Sequence, residues 1–133
     1  MKSPLRILLI EDDEDDYLLT RSFLSQVEGS SHELDWVSTY EEGLEDLRAG
    51  RHDLYLLDYR LGNRTGLDLL REVGERSPRA PIIFLTGQGD RQVDLEAMRA
   101  GAVDYLSKNR LDASRLERSI RYAWEHFQNS EAL

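Results

Sequence analysis

Cysteine is absent from this 133-residue chain, which removes disulfides, thiol nucleophiles and thiolate metal sites. Long apolar runs are absent too. Nothing approaches the roughly 20 residues of a membrane span. The first apolar stretch, Leu5–Ile10, is too short for a signal peptide's core and leads into acids rather than a cleavage site. A cytoplasmic protein without membrane insertion is expected. Basic residues are scarce: 17 lysines and arginines face 26 acids, a net charge of −9. Direct nucleic-acid binding, which needs a basic face to displace condensed counterions, is therefore disfavoured. Proline occurs three times, and no linker, internal repeat or low-complexity stretch interrupts the chain. What remains, 40% apolar and 32% charged, is the balance of a soluble globular chain. Residues 1–133 are expected to form one domain, its core over about residues 5 to 128.

The pattern within that core is set by Asp53-Leu54-Tyr55-Leu56-Leu57-Asp58. Four consecutive apolar residues are too few for an isolated helix and suit a strand covered on both faces. Leu5–Ile10 and the run 81–85, Pro-Ile-Ile-Phe-Leu, have the same character, while 33–38 alternates as a half-buried edge strand would. A last strand is expected at 102–106. Helical stripes fall between them: Leu19, Phe23, Leu24 and Val27; then Leu44 and Leu47; then Leu67, Leu70 and Val73. A fourth helix begins at Asp90 and ends at Gly101, and a last one runs to about Gln128 through Leu116, Ile120, Ala123 and Phe127. Capping boxes are expected at Thr39 with Glu42 and at Ser114 with Glu117. Ser77-Pro78 ends the third helix. Strict alternation with short connections predicts an α/β fold, a doubly wound five-stranded parallel sheet with helices on both faces. Strand order 2-1-3-4-5 puts the weak second strand at an edge and the ends of the first and third side by side.

Ligands bind such sheets beyond the strands' carboxyl ends. There this chain presents Glu11, Asp12, Asp58, Thr86 and Lys108. Two like charges about 4 Å apart cost roughly 4 kcal/mol at an effective dielectric near 20. Three converging carboxylates therefore call for a cation, and a few hard oxygen ligands open to water suit Mg²⁺. Lys108 adds positive charge and Thr86 a hydroxyl donor, so the edge can take a phosphoryl group, with Asp58 as the carboxylate acceptor.

Four segments in order and in register carry a resemblance across essentially the whole chain. They are Ile10-Glu11-Asp12-Asp13, Leu57-Asp58 with Gly66 downstream, Leu85-Thr86-Gly87 and Asp104-Tyr105-Leu106-Ser107-Lys108. Together they resemble the receiver domain of two-component response regulators. The resemblance implies the flavodoxin-like receiver fold and Mg²⁺-dependent phosphoryl transfer from a phosphohistidine to Asp58. The donor would be a histidine kinase or a histidine phosphotransfer protein. The resemblance further implies that Asp12, Asp58 and the backbone carbonyl of Arg60 hold Mg²⁺, with Glu11 assisting through water. Lys108 would pair with the phosphoryl group, Thr86 would move toward it, and Tyr105 would turn inward. The surface of the fourth helix and fifth strand would then change for a downstream protein target. Arg60 and Gln88 occupy places that tune phosphoryl lifetime in this family. One residue departs from the pattern: Asn109 follows Lys108 where the family usually has proline, so a trans bond and a differently shaped loop are expected.

Simpler roles compete for several of these residues. The acids at 13–16 also suit a helix N-terminus through its dipole. Thr86 also suits a turn cap, Lys108 a solvated lysine, and Tyr105 ordinary strand packing. His32, His52 and His126 show no ligand spacing and are expected to be solvated. At the level of function, a phosphorylation-independent receiver-like interaction scaffold is the main alternative. An aspartyl-phosphate phosphatase would need an acid where Arg60 stands. A flavin carrier would meet repulsion from Glu11 to Glu14. The chain is expected to assist its own phosphorylation and dephosphorylation only, and so not to be an enzyme.

Overall fold

The computed structural model describes residues 4–27, 31–74, 79–87 and 91–132, the side chains at 91, 92, 94 and 130–132 excepted. The three apolar runs become β1 (Leu5–Ile10), β3 (Leu54–Asp58) and β6 (Ile82–Thr86), buried along nearly their whole length. A strand apolar at consecutive positions is stable only with both faces covered. These three occupy the middle of a parallel sheet, with β2 (His32–Val37) and β7 (Asp104–Ser107) at its edges. The order is β2-β1-β3-β6-β7, the 2-1-3-4-5 arrangement counted along the sheet's own strands.

Side chains alternate across the sheet with the strand period of two. Leu8, Ile10, Tyr55, Leu57 and Phe84 meet the face of α2 (Tyr40–Ala49), α3 (Gly66–Val73) and α4 (Arg91–Arg99). Ile7, Leu9, Leu56, Ile83 and Leu85 meet the face of α1 (Glu14–Ser25) and α5 (Ala113–Ala132). The core is thus two apolar layers separated by the sheet, and every polar strand end is pushed to its carboxyl edge.

Local details differ from the sequence expectation. The segment after Asp58 is a short antiparallel hairpin of β4 (Arg60–Leu61) and β5 (Arg64–Thr65). Strands of two residues have no period to read. A reciprocal capping box stands at Thr65 and Asp68, opening α3, whereas α5 is capped by Asp112, whose Oδ1 accepts the Arg115 N–H at 2.7 Å. Ser114 therefore lies inside the helix. The backbone of α5 continues to Ala132, past Gln128. In α1 the core positions are Thr20 and Leu24, and Leu19 is 49% exposed. Asp13 caps this helix and so sets the phase that turns Thr20 inward. His52 is enclosed and its Nε2 lies 2.8 Å from Asp35 Oδ2, so it is not solvated. The expected stop at Ser77-Pro78, the helix start at Asp90, and Gln88 lie outside the described residues.

Candidate functional site

β1 and β3 are hydrogen-bonded neighbours with Ile10 opposite Leu57, so Glu11 and Asp58 emerge from the sheet together. Glu11 is fully buried, Asp58 is 4% exposed, and Asp12 is open to solvent. One carboxylate oxygen from each of the three lies within 4.8 Å of the others. The backbone of Glu11 is fixed because its carbonyl accepts the Trp36 indole N–H at 2.7 Å. That indole stacks on Tyr17 of α1, with ring centroids 4.2 Å apart.

The hairpin closes the other side. Gly62 sits at its turn with φ +65°, a left-handed conformation that favours glycine, and donates its N–H to Asp12 Oδ2 at 2.8 Å. Gly66 starts α3 against the acceptor strand. A Cβ there would collide with the Asp58 carbonyl oxygen and come within 3.0 Å of Leu57 and Phe84. Behind the hairpin, the Arg64 guanidinium lies 3.7 Å over the Tyr40 ring. Both the Tyr40 hydroxyl, at 2.8 Å, and the Arg64 guanidinium, at 3.1 Å, donate to Glu72 Oε1.

Lys108 reaches the acids from the far end of the chain. It opens a 3-10 turn over Lys108–Arg110, directly after β7, and the Lys108–Asn109 bond is trans. Its Nζ donates to Glu11 Oε1 at 2.7 Å and Asp16 Oδ2 at 2.8 Å, and lies 2.9 Å from Asp58 Oδ1. An ammonium has three N–H groups, and three carboxylates take them. Burial alone would lower the Lys108 pKa, but the bonds to Asp16 and Glu11 and the charge of Asp58 outweigh it and raise it. Glu11 is pushed upward, first by burial and then by Asp58, against the pull of Lys108. Carboxylate charge contributes to both directions: it outweighs burial in holding the proton on Lys108, and it adds to the effect of burial on Glu11.

Glu11, Asp12, Asp58 and Lys108 are therefore brought together as the sequence predicts. Arg60 lies on the exposed hairpin, two residues past Asp58. The Thr86 side chain is buried, and its hydroxyl donates to the Leu106 carbonyl on β7 at a long 3.4 Å. Tyr105 points outward and is 40% exposed. Two participants escape the sequence reading. Asp16 there is only a helix-dipole acid, although phasing α1 from its cap at Asp13 turns it toward the strand ends. Gly62 contributes through its backbone, and only its place in a glycine turn is visible in the sequence.

The family model for the response regulator receiver domain matches residues 7–121. The chain belongs to the receiver domain family. Among curated relatives, the regulatory protein LuxO of Vibrio cholerae is 36% identical over 115 residues, covering 86% of this chain and 24% of LuxO. The two-component response regulator PhoP of Pseudomonas aeruginosa is 34% identical over 104 residues, covering 78% of this chain and 45% of PhoP. The chain thus spans about a quarter of LuxO and under half of PhoP. A CheY-like receiver from Methanospirillum hungatei superposes with a TM-score of 0.81 at 26% identity, covering 96% of this chain and 99% of that one. The receiver of a LuxO repressor from Vibrio parahaemolyticus gives 0.84 at 21% identity, over 98% and 97%, and supports the fold alone.

The doubly wound fold is thus the flavodoxin-like receiver fold. Receiver domains of two-component systems interact with histidine kinases and downstream effectors, and generally bind Mg²⁺ through acidic residues. The donor set fits that ion: carboxylate oxygens from Glu11, Asp12 and Asp58, with Asp12 open to water. Among the described residues, no helix is long and apolar enough to cross a membrane.

Proposed function

We propose that Asp58 accepts a phosphoryl group from the phosphohistidine of a histidine kinase or histidine phosphotransfer protein. The observation that carries this reading is the placement of Asp58, nearly buried at the end of β3 with Oδ1 2.9 Å from Lys108 Nζ. An Asp58 oxygen attacks phosphorus, and the phosphorus–nitrogen bond breaks with its electron pair returning to the imidazole. Lys108 offsets charge on the phosphoryl oxygens. Glu11, Asp12, Asp58 and the Arg60 backbone carbonyl would hold Mg²⁺, which when bound lowers repulsion between acceptor and donor.

The switch would start at Thr86. Its bond to Leu106 is long and therefore weak, so the hydroxyl is available to a phosphoryl oxygen. Tyr105, now outward, then turns in, and the surface of α4 and β7 changes for a downstream protein target. The chain acts as a single domain in the cytoplasm and catalyses no reaction beyond its own phosphorylation and dephosphorylation.

The test is incubation with Mg²⁺ and acetyl phosphate, with intact mass read beside an Asp58→Asn control. A single phosphoryl adduct that requires Mg²⁺ and is missing from the control is expected. Trp36, whose indole N–H binds the Glu11 carbonyl, supplies an optical readout with beryllofluoride. No adduct and an unmoved Trp36 signal would leave only a phosphorylation-independent scaffold.

A further inference from the structure

Lys108 has a partner that the acceptor chemistry does not use. Asp16 Oδ2 lies 2.8 Å from Nζ, yet Asp16 is outside the carboxylates close enough to share a cation. Its hold on the ammonium is thus independent of whether those acids bind a metal. Asp16 is itself held at both backbone polar groups: its N–H donates to Asp13 Oδ1 at 3.2 Å, and its carbonyl accepts the Thr20 hydroxyl at 2.9 Å. Thr20 is buried against the sheet, so this turn of α1 is a fixed mount. A preorganised group supported in this way places its partner accurately.

We infer that Asp16 is a positioning residue that anchors the Lys108 ammonium beside Asp58 before and during phosphoryl transfer. The inference rests on the phosphoacceptor reading. Glu11 and Asp58 also bind Nζ, but their oxygens belong to the metal and acceptor group. Asp16 is the one of the three free to keep the lysine in place throughout. Its charge also opposes an incoming anion, so the variants must separate anchoring from repulsion. Asp15 is the control: it carries the same charge one residue away, and its backbone N–H, like that of Asp16, caps on Asp13.

The experiment compares wild type, Asp16→Ala, Asp16→Asn and Asp15→Asn, each checked for folding by circular dichroism. Phosphorylation by acetyl phosphate at saturating Mg²⁺ is timed, and the Lys108 ζ-ammonium ¹H–¹⁵N signal is recorded without a donor. Such a signal persists only where hydrogen bonds slow exchange with water. Asp16→Ala is expected to react about tenfold more slowly, within the roughly hundredfold that a 1 Å misplacement can cost, and to lose the ammonium signal. Asp16→Asn, which keeps an acceptor oxygen, should fall between, and Asp15→Asn should match wild type. Equal or faster phosphorylation in Asp16→Ala would overturn the inference, since Asp16 would then only add repulsion. If Asp16→Ala does not fold, Asp16→Asn takes its place, and a rate equal to or above wild type overturns the inference in the same way. Should wild type take no phosphoryl group, the acceptor reading fails by itself. Asp16 is then judged on the ammonium signal, which an unchanged spectrum in the variants would count against.

Discussion

On one side of the β4–β5 hairpin, Glu72 meets Arg64 and Tyr40; on the other, Glu11, Asp12, Asp16 and Asp58 crowd one lysine and two backbone N–H groups. Both groups are made of polar contacts between 2.7 and 3.3 Å. The first is balanced, one acid against one guanidinium, and half open to solvent. It pins the hairpin to α2 and α3 and needs nothing else. The second holds more negative charge than its lysine can offset, in a place where Glu11 and Asp58 have almost no water. A cluster left unbalanced at such cost is one arranged to receive positive charge or to change its covalent state. That imbalance, more than the presence of acids, separates a site from a brace.

Equivalent removals on the two sides should have unequal effects. Lys108→Met leaves buried carboxylates without their cation, which costs about 3 kcal/mol in metal-free protein. Urea unfolding with and without Mg²⁺ measures this, and added Mg²⁺ should restore much of the loss. If the loss is small and indifferent to Mg²⁺, the acids are not straining against one another.

A smaller effect is expected from pH. Glu11 is raised from 4.5 to about 9 by burial and by Asp58. Folding therefore takes up a proton, and that contribution is complete below 4.5 and lost as pH rises toward 9. Metal-free protein should lose roughly 2–3 kcal/mol between pH 6 and 8, close to the full slope of about 1.4 kcal/mol per pH unit. Lys108 adds no slope there, because its stabilising charge is complete below its unfolded value of 10.5. Unfolding in chelator across this range checks the sign, and stability that climbs toward pH 8 would reverse it.

The smallest effect belongs to the brace. Arg64→Met removes a half-exposed ion pair and the ring contact with Tyr40, together at most about 1 kcal/mol, with no dependence on Mg²⁺. A loss comparable to that of Lys108→Met would erase the distinction between the two clusters.

Apolar runs made the sheet legible. Leu5–Ile10, Leu54–Asp58 and Ile82–Thr86 could only be central strands, and alternation with helices then fixed their order. Glu11, Asp12, Asp58 and Lys108 followed from lying at strand ends. The hairpin was not legible, because its pairing is four residues long and its signal resides in Gly62 and the Thr65–Asp68 cap. Leu19 and Thr20 exchanged roles because composition favours leucine in a core, whereas the cap at Asp13 sets which positions face inward. Asp16 was hidden by its neighbours: within an unbroken run of acids, three-dimensional phase alone distinguishes a cap from a lysine's partner.

The lysine that relieves the acidic edge lies 97 positions after Glu11. At about 5–20 residues per second, synthesis leaves roughly 5–20 seconds between the two. A nascent chain thus completes β1 and β3, with the acids at their ends, well before their counter-charge exists. Docking of β7 and the turn after it brings the chain's own counter-charge to that edge. The contact that orients chemistry in the mature protein is thus also a long-range closure, tying the last quarter of the chain to the end of its first strand.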